Sequence, residues 1–212
     1  MVFADRTDAG KKLAEKLKIY AGQPDVALFA LPRGGVVVGK EIADELGLPL
    51  QLIVTRKIGS PGNPEYAIGA LAETGEVIWN EDERAVIESG AVKKIVKNEI
   101  QEAERRIKTY RKGKKLADLK GKTVILIDDG VATGLTMRAA VQTARHQHAT
   151  KVVVAVPHGA KDSLDVLREE ADEVITLYEP SIYGAVGEFY RSFPQVEDAE
   201  VLTMMKAYET KK

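Results

Sequence analysis

Two adjacent aspartates, Asp128 and Asp129, end the most apolar strand pattern in the chain, KTVILIDD (122–129). Neighbouring carboxylates repel each other, and the glycines that follow, Gly130 and Gly134, weaken regular structure around them. Asp is common in turns after strands, so a turn is the simplest explanation of one such acid. An acid pair followed by small and hydroxylated residues is better explained by binding chemistry than by folding.

The residues that follow, GVATGLT (130–136), are suited to binding a phosphate group. Glycines let backbone N–H groups approach an anion, Thr133 and Thr136 add hydroxyl donors, and the start of a helix adds partial positive charge. Carboxylates beside such a loop can bind the hydroxyls of a sugar, or a Mg²⁺ ion that bridges to them. Together the two features predict a site for a ribose 5-phosphate.

These residues must be positioned by the elements around them, and the sequence pattern predicts an open α/β fold. Apolar runs typical of buried strands alternate with helical patterns, which indicates a mainly parallel sheet covered by helices on both faces. In such sheets ligands bind beyond the carboxyl ends of the strands, where the acid pair falls. The predicted strands are 25–31, 48–56, 67–74, 76–80, 122–129, 150–157 and 171–178, and the predicted helices are 35–47, 134–148 and 161–170.

Residues 81–115 interrupt this alternation, because they carry no strand pattern and are rich in Glu, Lys and Arg. Apolar residues recur there at three- and four-residue spacing, which predicts an inserted amphipathic helix pair. Asn80 and Glu83 resemble a capping box at its start. The insertion could pack on the main domain, contact another subunit or form a lid over the site. Its apolar stripe consists of Val92, Val96, Ile100, Ala103, Ile107 and Tyr110.

Composition limits the class of protein further. The 212 residues suffice for a single domain, 1–212, that carries the 81–115 insertion. A net charge of −1 does not favour a nucleic-acid or membrane partner, although Lys93, Lys94 and Lys97 form a local basic face. The absence of cysteine excludes disulfides and thiolate sites. No apolar run reaches the roughly 20 residues of a membrane helix, and the first residues lack a signal-peptide core, so we expect a cytoplasmic protein.

The stretch VILIDDGVATGLT (124–136) resembles the signature of the type I phosphoribosyltransferases, enzymes that use phosphoribosyl pyrophosphate. ALPRGGVVVGKEIADELGLPL (30–50) resembles the family's pyrophosphate loop, which often contains a strained peptide bond, and the helix behind it. VTRKIG (54–59) resembles the second basic position of the family, and KIGSPGNPEYAIG (57–69) its mobile loop, which closes during turnover and excludes water. The resemblance covers about residues 25–180, with gaps.

The resemblance implies a role for each matching residue. The acid pair would hold the ribose hydroxyls, directly or through Mg²⁺, and residues 132–136 would wrap the 5-phosphate, mostly with backbone N–H groups. The loop 33–35 would receive the pyrophosphate, and Arg56 or Lys57 would add charge as it leaves. Cations would stabilise the leaving group and carboxylates the ribose cation, while a nitrogen nucleophile attacks with inversion. The implied catalytic residues are Asp128, Asp129, Arg33 and Lys57, and the implied substrate-binding residues are Gly34, Gly35, Arg56, Ala132, Thr133, Gly134, Leu135 and Thr136.

The acceptor base stays open. Family members that act on 6-oxopurines carry an aspartate where this chain has Ala132, so the resemblance disfavours a 6-oxopurine. The hood that recognises the base could come from 81–115 or from 179–193, whose aromatic residues either stack on a base or hold the segment to the core. His158, at a strand end that faces the predicted crevice, is a further candidate without an assigned role. The aromatic residues are Tyr183, Phe189, Tyr190 and Phe193.

Two functions fit these features. The first is a magnesium-dependent transferase that moves 5-phosphoribosyl from phosphoribosyl pyrophosphate to a small nitrogenous base; the resemblance also implies a homodimer. The second is a non-catalytic regulator that uses the same site to sense phosphoribosyl pyrophosphate or a nucleotide.

Overall fold

A computed structural model describes residues 1–83, 87 and 89–209. The strands are β1 Val26–Ala30, β2 Leu50–Leu52, β3 Arg56–Ser60, β4 Asn63–Leu71, β5 Val77–Trp79, β6 Thr123–Ile127, β7 Lys151–His158 and β8 Glu173–Tyr178. The helices are α1 Arg6–Lys16, α2 Gly34–Leu46, α3 Gly90–Arg111, α4 Leu135–His146, α5 Lys161–Glu170 and α6 Asp198–Glu209, with short 3-10 helices at Lys18–Tyr20, Glu81–Glu83 and Val186–Phe189.

The larger sheet has the order β2-β1-β6-β7-β8, and every neighbouring pair in it is parallel. Successive side chains of a strand point to opposite faces, and both faces are buried here. In β1, Leu28 and Ala30 belong to a core cluster that includes residues of α1, α2 and α6, whereas Ala27 and Phe29 belong to a cluster with α4 and α5. The predicted open, mainly parallel sheet with helices on both faces is confirmed.

The strand order also locates the crevice. β1 and β6 are neighbours in the sheet although β2 to β5 lie between them in sequence, and Ala30 is paired with Ile127. After β1 the chain turns to α2 on one face, and after β6 it turns to α4 on the other. Ligands of doubly wound sheets bind at such a switch point. The loop at 33–35 and the acid pair therefore leave the same edge of the sheet at the place where a ligand is expected.

A second, antiparallel sheet has the order β3-β4-β5 and is covered by α3. The stripe of α3 is buried at Val92 and Ala103, but Ile100 is 38% exposed, because it lies on the rim of the stripe. Ser89 caps the helix by accepting a hydrogen bond from the Val92 N–H at 3.2 Å. The predicted capping box is wrong, since the Asn80 side chain accepts from Asp82 in the 3-10 helix and Glu83 from the Tyr66 hydroxyl. Residues 84–86 and 88 of the predicted helix pair lie outside the described residues.

Four features differ from the sequence-based expectation. The predicted strand 48–56 is observed only as the short β2, and β3 begins at its last residue, Arg56. Helices α1 and α6 were not predicted, and residues 57–69, expected to be a loop, form most of the β3–β4 hairpin. Gly59 permits a bulge in this hairpin: the register shifts on both sides of it, and a Cβ atom there would lie 2.3 Å from the Pro64 carbonyl oxygen. Closure of this hairpin during turnover stays a prediction. Within the described part of the chain, no helix is both long and apolar enough to cross a membrane.

Candidate functional site

The acid pair lies directly beyond β6, and its two carboxylates are in different environments. The Asp129 N–H donates to Asp128 Oδ1 at 2.9 Å. Burial of Asp128, and secondly the charge of Asp129 beside it, raises the pKa of Asp128 well above its usual range. The charged form of such a carboxyl is stabilised strongly by a bound cation or by hydroxyl donors, because these offset the free energy that burial of its charge costs.

Arg6, the first residue of α1, is the partner of Asp129. Its Nε lies 2.6 Å from Asp129 Oδ2, and its NH1 donates to the Pro194 carbonyl oxygen at 2.7 Å. The guanidinium carbon lies 3.7 Å from the centre of the Phe193 ring, and Arg6 is only 7% exposed. Arg6 therefore compensates the charge of Asp129 and fixes its orientation. Nothing near Arg6 in the sequence identifies this role, because its partners lie more than a hundred residues away.

Gly34 and Gly35 allow the loop after β1 to lie against the acid pair. A Cβ atom on Gly34 would be 1.9 Å from Asp129 Oδ2, and one on Gly35 would be 2.8 Å from the Ile127 carbonyl oxygen and 2.9 Å from the Asp128 Cα. The peptide bond between Pro32 and Arg33, in the same loop, is cis. The structure thus brings the 33–35 loop and the acid pair together, as the sequence predicts.

A cavity of about 210 Å³, which we call the signature cavity, is bounded by Lys57, Ala67, Val186 and residues 128–136. It contains Ala132, Thr133, Gly134, Leu135 and Thr136, the residues predicted to wrap a phosphate. Helix α4 begins here after Gly134, whose φ of +75° favours glycine. No side chain among the described residues caps this helix start, so its first N–H groups can bind an anion. Ser163 supports the loop by donating from Oγ to the Ala132 carbonyl oxygen at 2.6 Å.

The basic residues differ in where their charges lie. Lys57 borders the signature cavity, and its Nζ contacts Glu65 Oε2 at 2.8 Å. The Arg33 guanidinium instead lies 3.4 Å from Glu197 Oε2, and Arg56 Nε lies 2.7 Å from Glu99 Oε2. Neither arginine lines the cavity, so the structure does not bring their side chains to it. Contact of the two arginines with pyrophosphate stays a prediction, and it would require the pyrophosphate to replace Glu197 and Glu99 as their partners.

His158 lies behind the loop, fully buried at the end of β7. Its Nδ1 is 3.0 Å from the Tyr183 hydroxyl, and its ring packs on Phe189 with centroids 4.6 Å apart. A Cβ atom on Gly130 would lie 2.6 Å from the His158 ring, so this glycine permits the loop to rest on the imidazole. Burial, and secondly the charge of the amino terminus, lowers the pKa of His158 to about 4. His158 is therefore neutral near pH 7 and acts as a packing support under the loop.

The two candidate hoods also differ. Among the described residues, none of 81–115 borders the signature cavity, whereas Val186 of the segment 179–193 does. The four aromatic residues of that segment pack on one another, on His158 and on Arg6. Phe189 and Tyr190 are buried, and the Tyr190 hydroxyl donates to the Asp129 carbonyl oxygen. These aromatic residues hold the segment to the core beside the acid pair.

Two adjacent carboxylates at the cavity fit Mg²⁺, which is usually bound by one or two carboxylates together with substrate oxygens. The described residues contain no group of three or more His, Asp or Glu side chains that could hold a metal without such help. Asp128 and Asp129 are therefore the residues that would hold Mg²⁺ on arrival with a phosphorylated ligand.

Comparison with known proteins agrees with this geometry. The Phosphoribosyl transferase domain family matches residues 4–192. A Mycobacterium tuberculosis protein named "Putative phosphoribosyl transferase" is 40% identical over 206 residues, which is 96% of this chain and 46% of that protein. The chain thus spans about half the length of the curated relative.

Among solved structures, TT1426 from Thermus thermophilus is 36% identical, with a TM-score of 0.79 over 98% of this chain and 99% of that one. A purine phosphoribosyltransferase from Pyrococcus horikoshii is 19% identical over 93% of this chain and 95% of that one, with a TM-score of 0.49. The family match and the relatives above 30% identity agree with the signature, the strand order and the cavity at the switch point. This chain belongs to the phosphoribosyl transferase domain family.

Proposed function

We propose that this chain transfers the 5-phosphoribosyl group from phosphoribosyl pyrophosphate to a small nitrogenous base and releases pyrophosphate. The observation that carries the proposal is the signature cavity, because two carboxylates, an open helix start and a lysine border the same space. Each of these groups suits a different part of one ligand: the hydroxyls, the 5-phosphate and the leaving group.

The proposed contacts of the 5-phosphate follow from the structure of the loop at residues 130–136. Backbone N–H groups at residues 133–136 and the hydroxyls of Thr133 and Thr136 would bind the 5-phosphate, since the helix start offers unpaired donors and partial positive charge. Because the loop is held by Ser163 in front and His158 behind, these donors are oriented before the ligand arrives. Preorganised donors lose little free energy to reorganisation on binding.

The proposed contacts of the ribose and of the leaving group follow from the charged side chains that border the cavity. Asp128 would accept hydrogen bonds from ribose hydroxyls, and its carboxylate would stabilise the positive charge that develops on the ring. Lys57 would stabilise the negative charge on the departing pyrophosphate after exchanging Glu65 for it. When bound, Mg²⁺ would supply further positive charge at the leaving group. The residues that would hold the ion are Asp128 and Asp129.

The acceptor would enter beside Val186, the residue of the 179–193 segment that borders the cavity. Ala132 brings no carboxylate to the cavity, so we propose a base other than a 6-oxopurine. Phe189 and Tyr190 are buried, whereas Phe193 is 37% exposed and Tyr183 is partly exposed, so an acceptor would contact one of these last two rings.

The test is pyrophosphate release. Protein, Mg²⁺ and phosphoribosyl pyrophosphate are incubated with a panel of bases, and we expect release with at least one of them. Asp128→Asn should weaken ligand binding by about tenfold or more, because a charged acceptor is lost. The matched control is Asp25→Asn, which changes an exposed aspartate away from the cavity and should leave binding unchanged.

The same assay separates the enzyme from the sensor. Tight binding of phosphoribosyl pyrophosphate without release for any base would replace the transferase with a regulator. Unchanged ligand binding by Asp128→Asn would contradict the proposal that the ligand binds in the signature cavity. The homodimer is also proposed, and sedimentation equilibrium measures it directly.

A further inference from the structure

A larger cavity, of about 610 Å³, lies at the opposite end of α3 from Ser89, and we call it the basic cavity. It is bounded by the edge strand β2, the last residues of α3 with the segment after them, and α6. Ligand sites usually have volumes of about 300–1,000 Å³, so this space can hold a molecule of nucleotide size. Its lining includes Leu50, Leu52, Tyr110, Arg111, Lys114, Lys115 and Tyr208.

The lining divides into an apolar wall and a basic rim. Leu50, Leu52 and the two tyrosines are each at most 7% exposed, so the wall is part of the protein core. Four of the five residues 111–115 are cationic, in a chain whose net charge is −1. Lys114 and Lys115 are exposed and have no ion pair within the described residues. A rim of this kind favours an anion, and the wall favours an apolar body attached to it.

Arg111 is the fixed point of the rim. Its NH2 contacts the Glu73 carboxylate, and its NH1 donates to the Leu52 carbonyl oxygen at 3.3 Å. The buried Nε has no hydrogen-bond partner in the described structure. The ion pair and the hydrogen bond therefore fix the orientation of the Arg111 side chain, while one of its N–H donors has no acceptor among the described residues.

We propose that the basic cavity binds a nucleoside phosphate, at a site separate from the signature cavity. The phosphate groups would lie against Lys114, Lys115 and the guanidinium of Arg111, because phosphates bind several cations at once. The base and sugar would lie against Leu52 and Tyr110 on the apolar wall, where planar rings pack well. This site goes beyond the proposed transferase function and does not depend on turnover.

The geometry also connects this site with the first one. Glu73, which pairs with Arg111, accepts a hydrogen bond from the Val54 N–H at 2.8 Å. Val54 lies in the short segment between β2 and β3, and β3 begins with Arg56 and Lys57. A phosphate that binds Arg111 would compete with Glu73 for the guanidinium, and Glu73 also holds the segment that precedes Lys57. Occupancy of the basic cavity would therefore act on the pyrophosphate side of the signature cavity.

Photoaffinity labelling with 8-azidoadenosine diphosphate tests the site on the full chain. The signature cavity is first saturated with ribose 5-phosphate, and labelled peptides are mapped by mass spectrometry. We expect label within residues 50–52, within residues 110–117 or in α6, and displacement by excess unmodified adenosine diphosphate. The double variant Lys114→Gln/Lys115→Gln should weaken labelling about tenfold, since two exposed charge contacts of about 0.7 kcal/mol each are lost.

The matched control is Lys94→Gln/Lys97→Gln, which removes two exposed lysines of α3 that do not line the cavity. Labelling of this variant should equal that of the unaltered chain. Absence of label at 50–52, 110–117 and α6, label confined to residues 130–136, or equal labelling of both double variants would each overturn the proposal. Failure of pyrophosphate release alone would leave it standing, because labelling does not require catalysis.

Discussion

The phosphate loop and the basic residues of the candidate site are built in different ways. Residues 130–136 are one continuous stretch whose shape comes from the end of β6 and the start of α4. Three guanidinium groups are instead positioned by carboxylates on other elements. Arg6 is paired with Asp129, Arg33 with Glu197 and Arg56 with Glu99. Local geometry thus fixes where a phosphate can bind, and long-range ion pairs decide which cations remain available for it.

The phosphate loop and the paired arginines should also differ in the free energy that each contributes to ligand binding. Backbone N–H groups at a helix start keep their direction without any partner, so the loop is ready for an anion. A guanidinium held by a carboxylate must exchange one anion for another, and its net contribution to binding is smaller. We therefore expect substitutions that disturb the loop or the acid pair to have larger effects than substitutions of the paired arginines.

The largest effect is expected for Gly35→Ala. The new methyl group would meet two backbone atoms, the Ile127 carbonyl oxygen and the Asp128 Cα, at 2.8 and 2.9 Å. Overpacking usually costs about 1–3 kcal/mol and occasionally more, and here a loss above about 3 kcal/mol is expected, because both contacted atoms are backbone and their displacement moves the acid pair. Urea unfolding should show the loss of stability, and calorimetry the loss of ribose 5-phosphate binding. Gly62→Ala is the control, because a methyl group there has no neighbour within 4 Å. Equal behaviour of both variants would contradict the close packing of the two loops.

A somewhat smaller effect is expected for Arg6→Met. Removing one partner of a buried ion pair leaves the other charge uncompensated and costs about 3 kcal/mol. The double variant Arg6→Met/Asp129→Asn should recover part of this loss, and urea unfolding of the full mutant cycle measures the coupling. Lys12→Met, on the same helix, removes an exposed pair with Asp8 and should cost less than about 1 kcal/mol. Additive losses in the cycle would show that Arg6 and Asp129 act independently.

A pH effect should follow from His158. Because its folded-state pKa of about 4 lies below the ordinary 6.5, the unfolded chain takes up a proton first as the pH falls. Stability from neutral His158 is present above pH 6.5, declines below it, and is fully lost below pH 4. Between about pH 7 and pH 5 the decline amounts to about 2 kcal/mol. Urea unfolding at several pH values should show a shallower pH dependence for His158→Phe, and an unchanged slope would contradict burial of the imidazole.

The smallest effect sharpens the comparison between cations. Lys57→Met should weaken pyrophosphate binding about tenfold, because Lys57 borders the cavity and its partner Glu65 is highly exposed. Arg56→Met should weaken it less, since Arg56 is paired with Glu99. Calorimetric titration with pyrophosphate measures both variants. A larger loss for Arg56→Met would mean that the ion pair with Glu99 opens for the ligand.

The sequence predicts best what is local. The strand KTVILIDD, the loop after it and the helix beyond follow from apolar runs, glycines and hydroxyls that are adjacent in the chain, and their bounds agree within a few residues. The sequence predicts a loop where the β3–β4 hairpin lies, because Gly and Pro mark turns, and here they are concentrated at the bulge of Gly59 and at the turn of Pro61 and Gly62. Arg6 could not be predicted, since its importance depends on Asp129 and Pro194, which only the folded chain brings to it.

The position of Arg6 has a consequence for the order of synthesis. Arg6 is near the beginning of the chain, whereas Phe193 and Pro194, which cover and bind its guanidinium, are near the end. A ribosome releases residues 130–136 well before residues 193 and 194, and domains fold as their residues emerge. A nascent chain therefore cannot complete the contacts that fasten the counter-ion of Asp129 until residues 193 and 194 have emerged, although Arg6 itself is synthesised first.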